Sequence, residues 1–530
     1  MTPSIEHLVI APILLPLATA AVLVPFDDRR KRLKAAISFA STVATLGVAL
    51  ALLGHVAEGG RTSVYFLGNW PAPFGIVLVA DRLAAVMLSL AAIVILAGLT
   101  FSIARWHRAG SQYHPLVQFL LAGLNGVFLT GDLFNLFVFF EISLAASYGL
   151  VLHGSGEARV KAGFHYIAVN LAASSLFLIG VSIIYGATGT LNMADLASRV
   201  TSLATTDRML LHTGAAVLGT AFLVKAGMWP LCFWLPGTYP VVATPVAAMF
   251  SIMTKVGVYV ILRLWLLVFG AEAGLSAHFG QGWLLAGGIA TVVFGCIGLL
   301  ASQDLPRLAS FSVIVSSGTL LAVMTMDNAA VTGGALFYLV SSTLAVCALF
   351  LLIELIERGR VAGADVLAVT ADALAEGAED PEPVGVAIPT TMAILGGGFV
   401  ACALLLAGLP PLTGFAAKVI MLAAMFHGGT PPGAATWTLL ALLMASGFAV
   451  MVGLMRAGIR VFWVPIESAV PSVRLLELGP VIGLLLLCGG LTVLAGPVAK
   501  FMQAAAESLH ARQSYVRQVL PASGAPEAVP

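Results

Sequence analysis

The chain has 530 residues, 59% of them hydrophobic and only 10% charged, with 26 basic and 25 acidic side chains for a formal net charge of +1. A soluble domain carries roughly 25% charged residues, so water cannot solvate most of this surface and lipid must cover it. The charge balance offers nothing to nucleic acid. Five scattered cysteines, Cys232, Cys296, Cys347, Cys402 and Cys488, form neither a disulfide framework nor a metal pair. The expectation is one all-α polytopic bundle in a lipid bilayer, with no cofactor, no metal and no nucleic-acid partner.

About 20 apolar residues are needed to cross a bilayer. Apolar runs predict about 14 transmembrane helices, near 5–25, 34–55, 82–104, 115–130, 133–153, 163–187, 211–228, 244–268, 282–301, 309–325, 332–356, 386–424, 436–461 and 477–499. No basic region precedes the first run and no cleavage site follows it, so no removed signal peptide is expected. Between the second and third runs, Asn69, Trp70 and Pro71 break a stretch too short to span, which reads as an external hairpin within an N-terminal unit, 1–110. The long acidic connector 358–383 reads as a solvated loop, with a short surface helix possible around 364–377. After a last span within 464–514, the Pro-, Ala- and Gly-rich tail 515–530 is expected to be disordered.

Lys and Arg in short loops set orientation. Arg29, Arg30, Lys31, Arg32 and Lys34 fill the first loop, and the same alternation collects Arg105, Arg108, Arg159, Lys161, Arg307, Arg358, Arg360, Arg456, Arg460 and Arg474 on one side. If that side is cytoplasmic, both termini are extracytoplasmic.

Ionisable residues at bilayer depth are costly and are functional candidates by default. Four stand out along the chain. Glu141 lies about nine residues into the fifth run, behind Phe137, Phe139 and Phe140. Its carboxylate must be protonated, paired or wetted there. Lys225 lies deep in the seventh run, just before Pro230 and Pro236, which break the helix. Lys255 lies near the middle of the eighth. Lys418 follows Gly408, Pro410, Pro411 and Gly414, which interrupt the twelfth. A broken helix beside an ionisable group is a recurrent ion-site design. Weaker accessory candidates are His165, in the sixth run, and Asp132, at a boundary where it can instead cap the next helix. Arg263 is expected to snorkel to the outer interface, and Asp304 with Arg307 to form a helix-end pair.

These positions sit in recognisable motifs. GDLFNLFVFFEI (131–142), KAGMWPLCFWLPGTYPVVATPVAAMFSIMTKVGVY (225–259), GVAIPTTMAILGGGFVACALLLAGLPPLTGFAAK (385–418) and MRAGIRVFW (455–463) resemble the antiporter-like subunits shared by respiratory complex I, membrane hydrogenases and Mrp-type cation/proton antiporters. The D-type member of the Mrp group, in the variety called Pha, is the best match, and the resemblance covers nearly the whole chain. It implies two inverted five-helix repeats, 111–270 and 281–463, with helices 7 and 12 broken. It implies a secondary transporter component of the bacterial inner membrane, not an enzyme, exchanging Na⁺ or K⁺ for protons beside partner subunits of the A, B, C, E, F and G types. Glu141 and Lys225 would form a charge pair, Lys255 would pass the proton inward and Lys418 would face a second exit. The alternative is a proton-pumping membrane component of a complex I-like NADH-quinone oxidoreductase or a hydrogenase. The chain departs from the complex I pattern at Cys232, at Ser316 in place of a histidine, and at Tyr338, Ser341, Ser342 and Val346. Ser316 and Tyr338 thereby become accessory candidates, in a second half that lacks a strong relay base.

Overall fold

A backbone N–H or C=O in hydrocarbon must be paired inside its own segment, so helix is found wherever the apolar runs are uninterrupted. The computed structural model describes residues 7–59, 62–358, 389–427, 432–462 and 473–520. The expected surface helix near 364–377 lies outside them, as do residues 521–530. In order, the helices are α1 (Ala11–Leu23), α2 (Lys31–Gly59), α3 (Arg82–Ala104), α4 (Tyr113–Leu129), α5 (Leu133–Val151), α6 (Glu157–Thr188) and α7 (Met193–Arg199). There follow α8 (Thr205–Ala226), α9 (Leu235–Thr238), α10 (Thr244–Phe250), α11 (Met253–Phe269), α12 (Gln281–Ala301), α13 (Leu305–Met324) and α14 (Ala329–Glu357). The last are α15 (Thr390–Ala407), α16 (Thr413–Phe426), α17 (Ala434–Phe462), α18 (Leu475–Val493), α19 (Ala495–His510) and α20 (Arg512–Val519). Between α2 and α3, β1 (Ser63–Phe66) and β2 (Val77–Ala80) pair antiparallel, Ser63 opposite Ala80, as the expected hairpin.

Among the described residues, 12 helices, counting α10–α11 as one, are long and apolar enough to cross a membrane. The shorter α1 and α4 complete the expected fourteen crossings, and α16 finishes the one that α15 begins. The eighth span is the expected single crossing, Thr244–Phe269, with a two-residue turn between Phe250 and Met253 where the Tyr239 hydroxyl donates to the Phe250 carbonyl at 3.0 Å. Two expectations need correction. The last span stops at Val493, where the chain turns at Leu494 into the separate α19. The tail does not lose structure at 515, because α20 continues to Val519 with Val519 fully buried against Val77, Val79 and Ala194.

The alternation of crossings puts the basic loops on one face, and neighbouring ones bond to one another there. Lys31 Nζ donates to the Arg108 carbonyl at 3.0 Å, Arg474 to Ala104, Arg456 to Leu300 and Ser302, and Arg460 to Gln303. On the other face Arg512 donates to the Ala197 and Glu272 carbonyls, and Arg82 to that of Ala504. This lays α19 and α20 across that end of the bundle. Five crossings separate the start of α4 from the start of α12, so the second half enters from the opposite face and runs inverted. The halves share a plan. Helices α8 and α15 both end in a left-handed glycine, Gly227 (φ 70°) and Gly408 (φ 75°), with Pro230 and Pro411 three residues on. The long α14 is buried throughout its central stretch and packs on α10, α13, α15, α16, α18 and α19.

Candidate functional site: a buried row of lysines and hydroxyls

The first cluster forms where α5, α6 and α8 meet. Asp132 caps α5 by accepting from the Asn135 amide at 2.8 Å, and that start places Glu141 half-buried in mid-helix. Lys225 is 4% exposed, in the last turn of α8 before the break, with its ammonium 4.8 Å from the centre of the Phe140 ring. Glu141 and Lys225, expected as a charge pair, make no direct ion-pair contact among the described residues. Instead Ser174 donates to the Glu141 carboxylate and Lys225 donates to the Asn170 side-chain oxygen. Asn170 and Ser174 are four residues apart on α6, hence stacked on one face. That helix therefore inserts two polar groups between carboxylate and ammonium.

The second cluster lies where α11 faces α13 and α14. The break at Ser251 and Ile252 lets α11 start beneath Lys255, its third residue, which is 2% exposed. The Lys255 ammonium donates to Ser316 at 2.6 Å and approaches Ser317 at 3.4 Å, while Ser316 donates to Ser342 at 3.0 Å. Tyr338, one turn before Ser342 on α14, is buried beside Ser316 and Thr319. On the same helix, Ser341 donates to Thr413 at 2.8 Å. Thr413 is the first residue of α16, the helix that carries Lys418.

Lys418 is 8% exposed and folds back over the break, donating to the Ala407 carbonyl at 3.0 Å. Two glycines leave room for it. A methyl group on Gly447 would lie 3.2 Å from the Lys418 nitrogen and 2.6 Å from the Ala407 oxygen, and one on Gly408 would crowd the lysine stem at 3.0–3.2 Å.

The structure thus brings Lys225, Lys255, Ser316, Tyr338 and Lys418 into the buried interior and leaves two candidates outside the row. His165 is exposed on α6 with its ring against Phe233, 5.4 Å between centroids, because its helical position points away from the α5–α8 contact. Asp132 spends its carboxylate on the cap. Sequence reasoning missed Asn170, Ser174 and Thr413, neutral residues of unremarkable type whose only signal is helical spacing from the charged ones. It also misplaced Arg263, which does not snorkel. Arg263 makes a two-pronged pair with buried Asp81, 2.8 Å on each prong, and donates to the Tyr259 hydroxyl at 2.9 Å. Asp304 and Arg307 do form the exposed helix-end contact, at 3.8 Å. No group of three His, Cys, Asp or Glu side chains able to hold a metal occurs among the described residues.

A bundle of fourteen crossings with three lysines buried in its interior, helix breaks near them and hydroxyl contacts from Lys255 to α14 and from α14 to the helix of Lys418 fits a class, the helical membrane proteins that pass ions. Residues 130–449 match the family described as NADH:quinone oxidoreductase/Mrp antiporter, transmembrane. A Rhizobium meliloti protein named as the probable D subunit of a K⁺/H⁺ antiporter is 57% identical, over 98% of this chain and 99% of its own length. The D subunit of the Na⁺/H⁺ antiporter of Alkalihalophilus pseudofirmus is 36% identical, over 86% of this chain and 87% of its own. A chain of the Mrp complex from a Dietzia species superposes with a TM-score of 0.82 at 26% identity, covering 98% of this chain and all of that one. The chain belongs to the NADH:quinone oxidoreductase/Mrp antiporter family, and these two sequence relatives carry the name of antiporter D subunits, one of them as probable.

Proposed function

We propose that this chain is the D subunit of a multicomponent cation/proton antiporter, passing protons along Glu141, Lys225, Lys255 and Lys418 to drive K⁺ or Na⁺ out of the cell. The observation that carries the reading is the hydroxyl bridge of the second half. Ser316 and Ser342 join Lys255 to α14, and Ser341 with Thr413 joins α14 to the helix of Lys418. A hydroxyl both donates and accepts, so it can hand on a proton without holding a charge, which answers the missing histidines. The excess of Lys and Arg supports a cytoplasmic position for the basic face, with both termini outside and the bacterial inner membrane as the setting.

In the first half, Glu141 takes up a proton or stays charged, and its field acts on Lys225 through the α6 amide and hydroxyl. Unlike charges attract by several kcal/mol at short range in a poorly screened interior, so charging one site favours or empties its neighbour. Lys255 receives the proton at mid-membrane, the hydroxyls carry it across α14, and Lys418 releases it beyond the second break. Partner subunits of the Mrp type complete the cation path, in keeping with the absence of any group of three His, Cys, Asp or Glu side chains among the described residues. The higher identity to the relative named for K⁺ favours K⁺ as the exchanged ion. The family resemblance to redox-driven complexes stays a second reading only at the level of the fold.

The test is antiport in vesicles holding the whole complex, with an imposed pH gradient and separate K⁺ and Na⁺ titrations, against Lys225→Ala. The reading expects cation-dependent proton flux that the substitution removes. Flux that survives in assembled Lys225→Ala complex sinks it.

A further inference from the structure

The basic face holds a pocket that the proton row does not use. Where the first loop meets the turn between α3 and α4, Arg29, Arg30, Lys31, Arg32, Arg108 and His107 line a cavity of about 480 Å³. Among the described residues, every ionisable group on its wall is basic. Asp27, just before, faces its own backbone, accepting from the Arg29 amide at 2.9 Å, and Lys31 is steadied by the Arg108 carbonyl.

His107 shows what the pocket lacks. It is 4% exposed, its Nδ1 lies 3.3 Å from Nε2 of His114, and its Nε2 is buried with no hydrogen-bond partner. Burial, with Arg108 and Lys31 beside it, holds the imidazole below its ordinary range, so it is neutral at pH 7. A neutral ring has one N–H. If His114 donates from Nε2 to Nδ1 of His107, the His107 proton sits on Nε2 and points to an acceptor that the protein does not supply. A buried N–H without a partner is costly, and an anion oxygen in this cationic pocket removes that cost.

From this geometry we infer that the pocket binds the phosphate of an anionic phospholipid headgroup, gripped by the loop arginines and by the His107 Nε2–H. Basic pockets at the cytoplasmic end of membrane helices suit such headgroups. The lipid source is favoured over free phosphate by what adjoins the pocket. Leu33 is on its wall and 44% exposed, and Phe39, Val43 and Leu50 continue an exposed apolar stripe up α2, where acyl chains would lie. The inference rests on the basic face being cytoplasmic and is independent of the proton path.

The experiment is native mass spectrometry of the purified complex titrated with cardiolipin, phosphatidylglycerol and phosphatidylcholine, repeated with millimolar inorganic phosphate as competitor. Wild type is expected to keep the anionic lipids and shed phosphatidylcholine. Arg29→Gln with Arg30→Gln should weaken cardiolipin roughly thirtyfold, from about one charge's worth of attraction each. Lys31, Arg32 and Lys34 still set the topology of that variant. His107→Phe leaves all loop charges in place and should still lose several-fold affinity, which a purely diffuse attraction would not. Equal binding of phosphatidylcholine, or unchanged cardiolipin affinity in both variants, overturns the site. Displacement of the lipid by inorganic phosphate overturns the lipid assignment in favour of a free phosphate ligand.

Discussion

In the seventh span, α8 ends at Ala226, Gly227 turns left-handed and Pro230 follows. In the twelfth, α15 ends at Ala407, Gly408 turns left-handed and Pro411 follows. The residues at the two breaks align as Ala-Gly-x-x-Pro-Leu, 226–231 and 407–412. A helix that stops in the membrane frees carbonyls that something must satisfy, and here the halves part. In the first, the Trp234 indole donates to the Val224 carbonyl at 3.1 Å, leaving Lys225 for the Asn170 side chain. In the second, Lys418 itself donates to the Ala407 carbonyl. One half separates the repair of the break from the ionisable group, and the other gives both tasks to one lysine. The same backbone device therefore constrains the second lysine more than the first.

The largest effect expected from this contrast is in the first half. Glu141→Ala and Lys225→Ala should each abolish antiport while the complex still assembles, because Trp234 keeps the break satisfied without them. Vesicle flux with assembly followed by blue-native electrophoresis decides it, and loss of assembly in either variant would contradict a break repaired independently of the charged groups.

Lys418→Ala should cost both transport and stability. It leaves the buried Ala407 carbonyl without its donor, about 1–3 kcal/mol, visible as a lower thermal midpoint that Lys225→Ala does not show to the same degree. Lys418→Arg should restore the midpoint in part but not the flux, since arginine does not release its proton. Full flux with Arg would make Lys418 an anchor and remove it from the relay.

A smaller effect is expected at the repair of the first break. Trp234→Phe keeps the ring and deletes the N–H, costing about 1 kcal/mol, with flux reduced but not lost. A loss as deep as that of Lys225→Ala would mean that the break in the first half is as tightly coupled to transport as that in the second. The smallest effect falls on His165→Ala: an exposed ring beside Phe233 should leave flux within about twofold, within the usual reach of surface substitutions.

Much of this was legible in the sequence. Fourteen runs, both breaks and the mid-membrane lysines Lys225, Lys255 and Lys418 follow from hydropathy and from charges placed where charges are expensive. The Ala-Gly-x-x-Pro-Leu repeat was there to be found, although only the Pro-Leu pairs stand out when the halves are scanned for identity. Hydropathy cannot separate a continuous apolar run from one broken between Phe250 and Met253, because both halves of the break are apolar. Nor can it say which way a helix faces, which is why His165 read as a possible relay and Asn170 and Ser174 went unread. Arg263 shows the same limit, since its partner Asp81 is 182 residues away. Spacing places a side chain on its own helix, and packing alone decides what meets it.

The central claim is that protons cross the second half through hydroxyls rather than histidines. The most direct measurement is proton flux by the whole complex in vesicles carrying Ser316→Ala with Ser342→Ala, which keep the packing of α13 and α14 and delete both links between Lys255 and α14. Flux should fall at least tenfold, about 1.4 kcal/mol or more on the barrier, with K⁺ and Na⁺ affected alike. Wild-type flux in the assembled double variant would contradict it and leave Lys255 to reach Lys418 by another route.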